Sequence, residues 1–411
     1  MPPPKKHAAR TSPSLGDRTS IAWIVCLCAL LASVGNSNAL DVSGQQDGVW
    51  RQADSPIRVI GTVEVATGAV LTIEPGTVIL VNGYYISINV RGTLNASGTA
   101  SQTIVFSSTA DSGGNEWGGI YFYPGSTGVV QHAECRYGGG YAVAGMIQID
   151  DARVTVQSVT FLNSGKDGIH VSNIDDPQRV VIQQCAFADN ADDGIQCNTA
   201  SPSIVGCSFT NNGATAIRLT GTSSPDFNGD LTAPTDGIHL SGATLEANAH
   251  WEYAGIPYIL DGTIEVPTNT SLTIAAGVVI KGSGYYNRIL IRGQLWILGT
   301  SAQPVFLTSS RDDTIAGDTN GDGTNSVPAG DQWGGIYFYP GSTGVVQHAE
   351  FRYGGGAYIT GMIQIDEARV TVQNVIFRNS SENGLHVSNI NDPQRVVIRQ
   401  CALASSVAPL R

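Results

Sequence analysis

The sequence predicts an all-β fold, a right-handed parallel β-helix made of two tandem modules. Short β-branched strands alternate with polar turns, equivalent residues recur every 22 to 26 positions, and a long segment is duplicated. The 411 residues include 49 Gly and only 14% charged residues, a balance typical of turn-rich β proteins. Repeats of this length predict a solenoid whose coils stack on one another.

The start of the chain is typical of an export signal. Four basic residues precede an apolar stretch over residues 21–34, which is short for a bilayer span. Small residues at 37–39 suit cleavage, so we predict a signal peptide over residues 1–39; an uncleaved anchor is the alternative. The mature protein is then expected to be secreted, extracellular or at the cell surface, without membrane insertion.

A duplication defines two modules. Trp50 recurs as Trp251 at an offset of 201, and the run WGGIYFYPGSTGVVQHAE recurs at an offset of 216. From Trp117 to Phe187, 55 of 71 positions are identical in the two copies. The change of offset places a 15-residue insertion just before Trp333. We predict module 1 over 40–230 and module 2 over 231–411, with the insertion loop at 311–331.

A shorter repeat predicts the coils. Phe161, Phe187 and Phe209 align with a β-branched residue five positions earlier and an Asn or Asp two positions later. Each coil would satisfy the backbone hydrogen bonds of the next, about 4.8 Å away. Aliphatic and Phe columns should fill the interior, and Asn amides should bond to one another at a turn.

The runs that carry the repeat are similar to those of a known group of proteins. LTIEPGTVI, WGGIYF and SIVGCSFTNN resemble the right-handed parallel β-helix repeats of secreted bacterial proteins in the pectin-lyase-like superfamily. The resemblance covers nearly all of the chain after the predicted signal. It implies the fold rather than one activity, because the superfamily includes lyases, glycosidases, epimerases and adhesins.

Module 2 ends earlier than module 1, since the coils equivalent to 190–220 are absent after Leu403. An uncovered end of a β-helix is an exposed sheet edge. We therefore expect either a truncated product or a partner that covers this end.

The best motif for chemistry lies in the insertion loop. Asp318, Asn320 and Asp322 place oxygen ligands at alternate positions before a Gly, as a calcium loop requires. The run resembles the DxNxDG half of EF-hand and dockerin loops but has Ala329 at the twelfth position. Asp331 is the predicted fourth ligand, with Asp312 or Asp313 as alternatives. Calcium here would be structural; a solvated loop tip is the other interpretation.

Two sets of polar residues are weak catalytic candidates. His132, Glu134 and Arg136 recur as His348, Glu350 and Arg352, and alternation along the strand directs them outward. An acid, a base and a cation together could handle a sugar carboxylate, but an ordinary charged outer wall is the favoured interpretation. Asp192 and Asp193 form a carboxylate pair of the kind that glycoside hydrolysis uses, although a turn-forming pair is the simpler interpretation.

Aromatic residues on the duplicated strand form a candidate carbohydrate platform. Exposed aromatic rings in a groove suit sugar stacking, whereas packing beneath a loop is the alternative. The candidates are Trp117, Tyr121, Tyr123, Trp333, Tyr337 and Tyr339.

These observations favour an extracellular structural or binding protein for surface or matrix polysaccharide, with a calcium-stiffened loop. A polysaccharide lyase or glycoside hydrolase is the alternative, and an adhesin or surface-layer component is a further one. The formal net charge of −12 argues against nucleic acid as a partner. Lyases of the resembled superfamily combine acidic Ca²⁺ ligands with an Arg or Lys base on one sheet, whereas the motif here lies in a loop.

Overall fold

The fold is a parallel β-solenoid, seen in a computed structural model that describes residues 39–141, 143–227, 230–356 and 358–404. Strands of successive coils pair in parallel and in register. One 3₁₀ turn, Gln52–Asp54, is the only helical segment in these ranges. Within them, no helix is long and apolar enough to cross a membrane. The predicted signal peptide falls outside the described residues, apart from Ala39.

The strands up to the end of the module 1 coils have these bounds: β1 (Leu40–Gln45), β2 (Gly48–Trp50), β3 (Ile57–Val65), β4 (Val70–Ile73), β5 (Val78–Val81), β6 (Gly83–Val90), β7 (Thr93–Ser97), β8 (Ile104–Ser108), β9 (Trp117–Phe122), β10 (Thr127–Arg136), β11 (Gly145–Asp150), β12 (Arg153–Leu162), β13 (Asp167–Ile174), β14 (Val180–Gln183), β15 (Ala186–Ala188), β16 (Ile195–Ala200), β17 (Ser203–Val205), β18 (Ser208–Thr210) and β19 (Ile217–Thr220).

The remaining strands have these bounds: β20 (Ile238–Leu240), β21 (Ala243–Thr244), β22 (Ala249–Trp251), β23 (Tyr258–Leu260), β24 (Ile264–Val266), β25 (Ser271–Ile274), β26 (Val279–Gly282), β27 (Arg288–Ile291), β28 (Gln294–Leu298), β29 (Val305–Ser309), β30 (Gly335–Phe338), β31 (Thr343–Arg352), β32 (Gly361–Asp366), β33 (Arg369–Arg378), β34 (Asn383–Ser388), β35 (Val396–Arg399) and β36 (Ala402–Ala404).

Each coil has three faces. In one coil, β14 lies on face 1, β15 on face 2 and β16 on face 3, and each pairs with its counterpart in the next coil. A residue with positive φ, Gln184, turns the chain from face 1 to face 2, and a second, Asp189, turns it towards face 3. Longer strands such as β10 and β12 bend at these corners and contribute to faces 1 and 2.

The interior confirms the predicted columns. Phe161, Phe187 and Phe209 stack with ring centroids 4.8 and 5.1 Å apart and are almost fully buried. Ile169, Ile195 and Ile217 form a second inward column on face 3, again in exact register. Burying such side chains stabilises the fold by roughly 1.5–3 kcal/mol each, so the columns account for much of the stability of each coil.

The amide ladder differs by one residue from the prediction. Asp189 and Asn211 occupy left-handed corners, and their side chains are exposed. The hydrogen-bonded amides are the residues that follow, since Asn190 Nδ2 donates to Asn212 Oδ1 at 2.8 Å. The left-handed corner directs its own side chain towards solvent, so the next residue faces the neighbouring coil.

The ladders continue across the predicted module boundary with a shift of face. Face 3 of module 1 passes from β19 to β20 and then to β23. β23 pairs next with β26, which corresponds in sequence to β5 on face 2. Face 3 of module 2 is a separate six-stranded sheet that begins at β21. The described residues from Ala39 onwards therefore form one continuous solenoid.

Candidate functional site

The insertion loop brings three carboxylates together, an arrangement that we call the acid cluster. Oxygens of Asp313, Asp318 and Asp322 all lie within 4.8 Å of one another. Oδ1 of Asp313 and Oδ1 of Asp318 are buried without a hydrogen-bond partner. Burial, together with the charge of Asp318, raises the pKa of Asp313. Buried carboxylate oxygens without partners are costly unless a cation compensates them, so these residues could hold a divalent cation.

The cluster contains part of the predicted ligand set. Asp318 and Asp322 belong to it, and Asn320 lies beside it, with its Nδ2 donating to Asp322 Oδ2 at 2.9 Å. Asp331, predicted as the fourth ligand, does not belong to the cluster; it is exposed, and its amide donates to Gly354 O. Asp313 supplies the third carboxylate, and it lies in a turn in which the Ile315 amide donates to Asp312 O.

Lys281 lies beneath the insertion loop and carries a charge that the sequence reasoning missed. Its side chain is fully buried, and Nζ donates to the carbonyls of Gly317 at 2.6 Å and Asp312 at 3.2 Å. Burial lowers its pKa to about 8, although nearby Asp312, Asp313 and Asp318 oppose the shift. The sequence contains a signal for this buried charge, because module 1 has the apolar Leu80 at the place that Lys281 occupies in module 2.

The first catalytic candidates are engaged in ion pairs on face 2. Arg136 Nη1 lies 2.9 Å from Glu134 Oε1, and its Nε lies 2.9 Å from Asp111 Oδ1. His132 has a φ of 45° at the corner before this strand segment, so it does not share the outward column of Glu134. Ala133 and Cys135 point inward, as the alternation predicts.

The equivalent residues of module 2 attach the insertion loop. Glu350 Oε1 accepts from Arg352 at 2.7 Å and from Arg378 at 2.6 Å. Arg352 also reaches Asp312 Oδ2 at 3.4 Å, and Asp312 is fully buried. His348 lies at the corner, with Nε2 3.2 Å from Asn374 Nδ2. These contacts are those of a structural ion-pair network.

The two tryptophans predicted to contact carbohydrate lie in the core, and that prediction is wrong for them. Trp117 and Trp333 are fully buried, and their indole Nε1 atoms donate to the carbonyls of Arg136 and Arg352. The indole closes the corner between faces 2 and 3, where a large apolar ring fills the wide turn. Neither ring meets solvent.

The four predicted tyrosines are half-buried on face 3 and stack in pairs. The rings of Tyr121 and Tyr123 lie 3.8 Å apart, and Arg91 covers Tyr123 at 3.6 Å. Tyr337 and Tyr339 repeat the arrangement at 4.1 Å, with Arg292 over Tyr339. One ring of each pair is therefore covered by a guanidinium group, which leaves less aromatic surface for a ligand.

Exposed tyrosine rings instead form two clusters at the corner between faces 2 and 3. The first tyrosine cluster is Tyr84, Tyr85 and Tyr141, with exposures of 39%, 67% and 70%. Tyr85 lies 4.9 Å from Tyr84 and 5.3 Å from Tyr141, measured between ring centroids. No periodicity signals these rings, because Tyr84 and Tyr85 lie in the irregular first part of β6, where the register shifts, and Tyr141 lies outside the strands.

The second tyrosine cluster consists of Tyr285, Tyr286 and Tyr358. Tyr286 lies 4.9 Å from Tyr285 and 6.5 Å from Tyr358. Its third member is displaced by one position in the duplicated sequence, since GGGYA of module 1 corresponds to GGGAY of module 2. An exposed aromatic group therefore occurs at both corners although the position in sequence differs.

The carboxylate pair of module 1 belongs to a structural turn. Asp193 is buried and accepts from Thr215 at 2.6 Å and from Arg218 at 2.8 Å. Asp167 is buried beside it and lies 3.0 Å from His170 Nδ1. Asp192 is exposed, and burial of its carboxyl together with the charge of Asp193 raises its pKa. Two of the three carboxylates are thus committed to neighbouring coils.

Comparison with known proteins agrees with the fold. Residues 76–232 match the family model described as "Right handed beta helix region". This part of the chain is a right-handed β-helix. The match agrees with the predicted right-handed β-helix fold. It covers most of module 1 and specifies no activity.

A solved structure titled "Crystal structure of Agl-KA catalytic domain" is similar to the chain. The identity is 12%, the TM-score is 0.29, and the match covers 82% of this chain and 63% of that one. The chain thus spans less than two thirds of that structure. No curated protein gives a significant match.

Proposed function

We propose that this protein is an extracellular carbohydrate-binding β-solenoid that recognises neutral glycan chains through its two tyrosine clusters. The observation that carries the proposal is the exposure of three adjacent tyrosine rings at one corner of each module. Exposed aromatic faces bind the C–H surfaces of sugars, and the phenol groups remain available for hydrogen bonds. The net charge of −12 favours neutral over acidic glycans.

Two clusters on one rigid scaffold suit a polymer better than a small sugar. When one cluster is bound, the second meets the same chain at a raised effective concentration. Each cluster alone would bind weakly, since a few rings bury little surface. Avidity would then supply the affinity for a repeating surface or matrix polysaccharide.

Calcium has a structural role in this proposal. The acid cluster offers three carboxylates, and two of its buried oxygens have no partner. Hard oxygen ligands of this kind suit Ca²⁺. The ion would join the start of the insertion loop to its middle, because Asp313 lies near the start and Asp322 near the middle.

Polysaccharide cleavage is the second candidate function. Oxygens of Asp167, Asp192 and Asp193 approach within 4.8 Å, and paired carboxylates of this kind can hydrolyse glycosides. The burial of Asp167 and Asp193 and their bonds to His170 and Arg218 favour a binding protein instead. Asp192→Asn tests the alternative: binding should persist, whereas release of reducing ends that depends on Asp192 would establish a hydrolase.

The proposal is tested on a glycan array, followed by calorimetry with the best-bound neutral polymer. Replacing both Tyr85 and Tyr141 with Ala should weaken binding by roughly tenfold or more, because stacking contributes about 1 kcal/mol per ring. Tyr253→Ala is the matched control, since Tyr253 is an exposed tyrosine outside both clusters. Unchanged affinity in the double variant, or a preference for acidic polymers, would overturn the proposal.

A further inference from the structure

A cleft of about 410 Å³ lies where the two modules meet, and we call it the junction cleft. One wall comes from corner turns on either side of the predicted module boundary, at residues 209–216 and 233–236. The opposite wall is the segment Thr319 to Gly321 of the insertion loop. The volume lies in the usual range for small-ligand sites, about 300–1,000 Å³.

The lining combines small apolar groups with hydroxyl and amide groups. Ala214, Ala216, Ala233 and Ile259 provide a shallow apolar surface, and Thr210, Asn211 and Thr235 surround it. Asn211 has a φ of 52°, and its exposed side chain is directed away from the coil. Apolar patches beside convergent polar groups are what a sugar ring requires, since it has both C–H faces and hydroxyl edges.

The charges around the cleft disfavour anions. His239 lies between Asp236 and Asp261, with both of its ring nitrogens 2.6 Å from a carboxylate oxygen. A single imidazolium charge therefore meets two carboxylates at the base of the cleft. On the far side, the insertion loop adds Asp318 and Asp322 close to the lining residues. The carboxylates around the cleft outnumber the nearby cations, which are His239, Arg218 near Asp261 and Lys281 beneath the loop, so a ligand with a carboxylate or phosphate is disfavoured.

The loop wall is held in place from below. Lys281 donates to two loop carbonyls, and the hydroxyl of Thr319 lies within 3.4 Å of Ser310 O. Thr319 and Ser310 are both buried. The corresponding position of module 1 is Leu80 and no such insertion occurs there, so the cleft is a feature of the junction rather than of each module.

We propose that the junction cleft binds one neutral sugar unit, through Asn211, Thr235 and the Asp236 carboxylate over the alanine surface. This inference deepens the proposed function and rests on it. The tyrosine clusters hold the polymer, and the cleft binds one sugar unit of that polymer. Lys281 is a positioning residue that holds the loop wall over the ligand.

Calorimetry and saturation-transfer NMR with free galactose, N-acetylglucosamine and galacturonate test the inference. At least one neutral sugar should bind, and galacturonate should bind at least tenfold more weakly. Ala214→Trp fills the cleft and should abolish binding, whereas Ala191→Trp, at the same corner one coil earlier, should leave it intact. If the bulky variant fails to fold, Asn211→Ala serves in its place, because it disturbs packing less. Asn211→Ala should weaken sugar binding tenfold.

Two further variants separate this inference from the proposed function. The Tyr85→Ala, Tyr141→Ala double variant should weaken polymer binding roughly tenfold or more and keep the binding of the free sugar. Lys281→Leu should weaken free-sugar binding and leave the tyrosine clusters intact. Polymer binding without any free-sugar binding would overturn the cleft alone, and galacturonate binding as tightly as the neutral sugars would overturn it as well. Absence of any glycan binding by the wild-type protein would refute both the cleft inference and the proposed function.

Discussion

His239 shows how a single residue links neighbouring coils beside the predicted module boundary. It projects from β20, and its two carboxylate partners come from the preceding turn and from the coil that follows. Burial lowers the pKa of His239, but the hydrogen bonds to Asp236 and Asp261 outweigh burial and raise the pKa from 6.5 to about 9. The imidazole therefore stays charged in the folded protein across the neutral range.

This shift predicts a pH-dependent contribution to stability. Because the folded pKa exceeds the unfolded one, the contribution is complete below about pH 6.5 and is lost as the pH rises through about 9; its size is on the order of 3 kcal/mol. The pKa of Lys281 is lowered to about 8, so its contribution to stability changes with pH in an overlapping range and with the opposite sign. The quantity to measure is therefore the difference in the free energy of unfolding between wild type and His239→Gln, obtained by urea unfolding.

That difference should shrink between pH 6.5 and pH 9. His250→Gln is the control, because this histidine is about half exposed and should show no such trend. A difference that is constant with pH would mean that the two carboxylates do not hold a charged imidazole.

At the scale of elements, the insertion loop is where calcium should act. Three carboxylates within 4.8 Å repel one another, with Lys281 as the buried counter-charge. Calcium at a hundred times its Kd should stabilise the protein by about 2.7 kcal/mol, seen as a higher melting temperature in calorimetry that a chelator reverses.

Asp318→Asn should remove most of this rise, because it deletes the charge and keeps the shape. Asp331→Asn should retain it, since Asp331 does not belong to the acid cluster. An equal rise in both variants, or none in the wild type, would refute the calcium assignment.

The elements that could be predicted from the sequence are those with a repeating period. The Phe161, Phe187 and Phe209 column was predictable because stacked coils require the same residue at the same place. The tyrosine clusters and the burial of Lys281 could not be predicted. The conformation of the corner segments determines the first, and the docking of the insertion loop onto the coil determines the second. Trp117 illustrates the limit of predictions from strand alternation. Alternation describes residues within strands, whereas this buried indole lies at the corner between faces 2 and 3.

At the scale of the whole molecule, strand pairing at the junction is short. Within module 2, β31 and β33 pair along nine residues, whereas β20 and β23 pair along three. Face 2 of module 1 reaches the junction through the isolated bridge between Ser208 and Thr232. In a solenoid, stability is a sum of coil terms and nearest-neighbour interfaces, so a weak interface divides the cooperative unit.

We therefore predict two unfolding transitions. Phe187→Ala and Phe351→Ala each remove a buried ring from a stacked column and should cost about 3–5 kcal/mol. If the junction divides the solenoid, the first variant lowers the midpoint of one transition and the second lowers the other, as followed by hydrogen exchange of peptides from each module during urea unfolding. Ile60→Ala, at an exposed position, should change neither. A single transition that both variants shift equally would show that the face-shifted ladder between β19, β20 and β23 transmits cooperativity as well as the longer strands do.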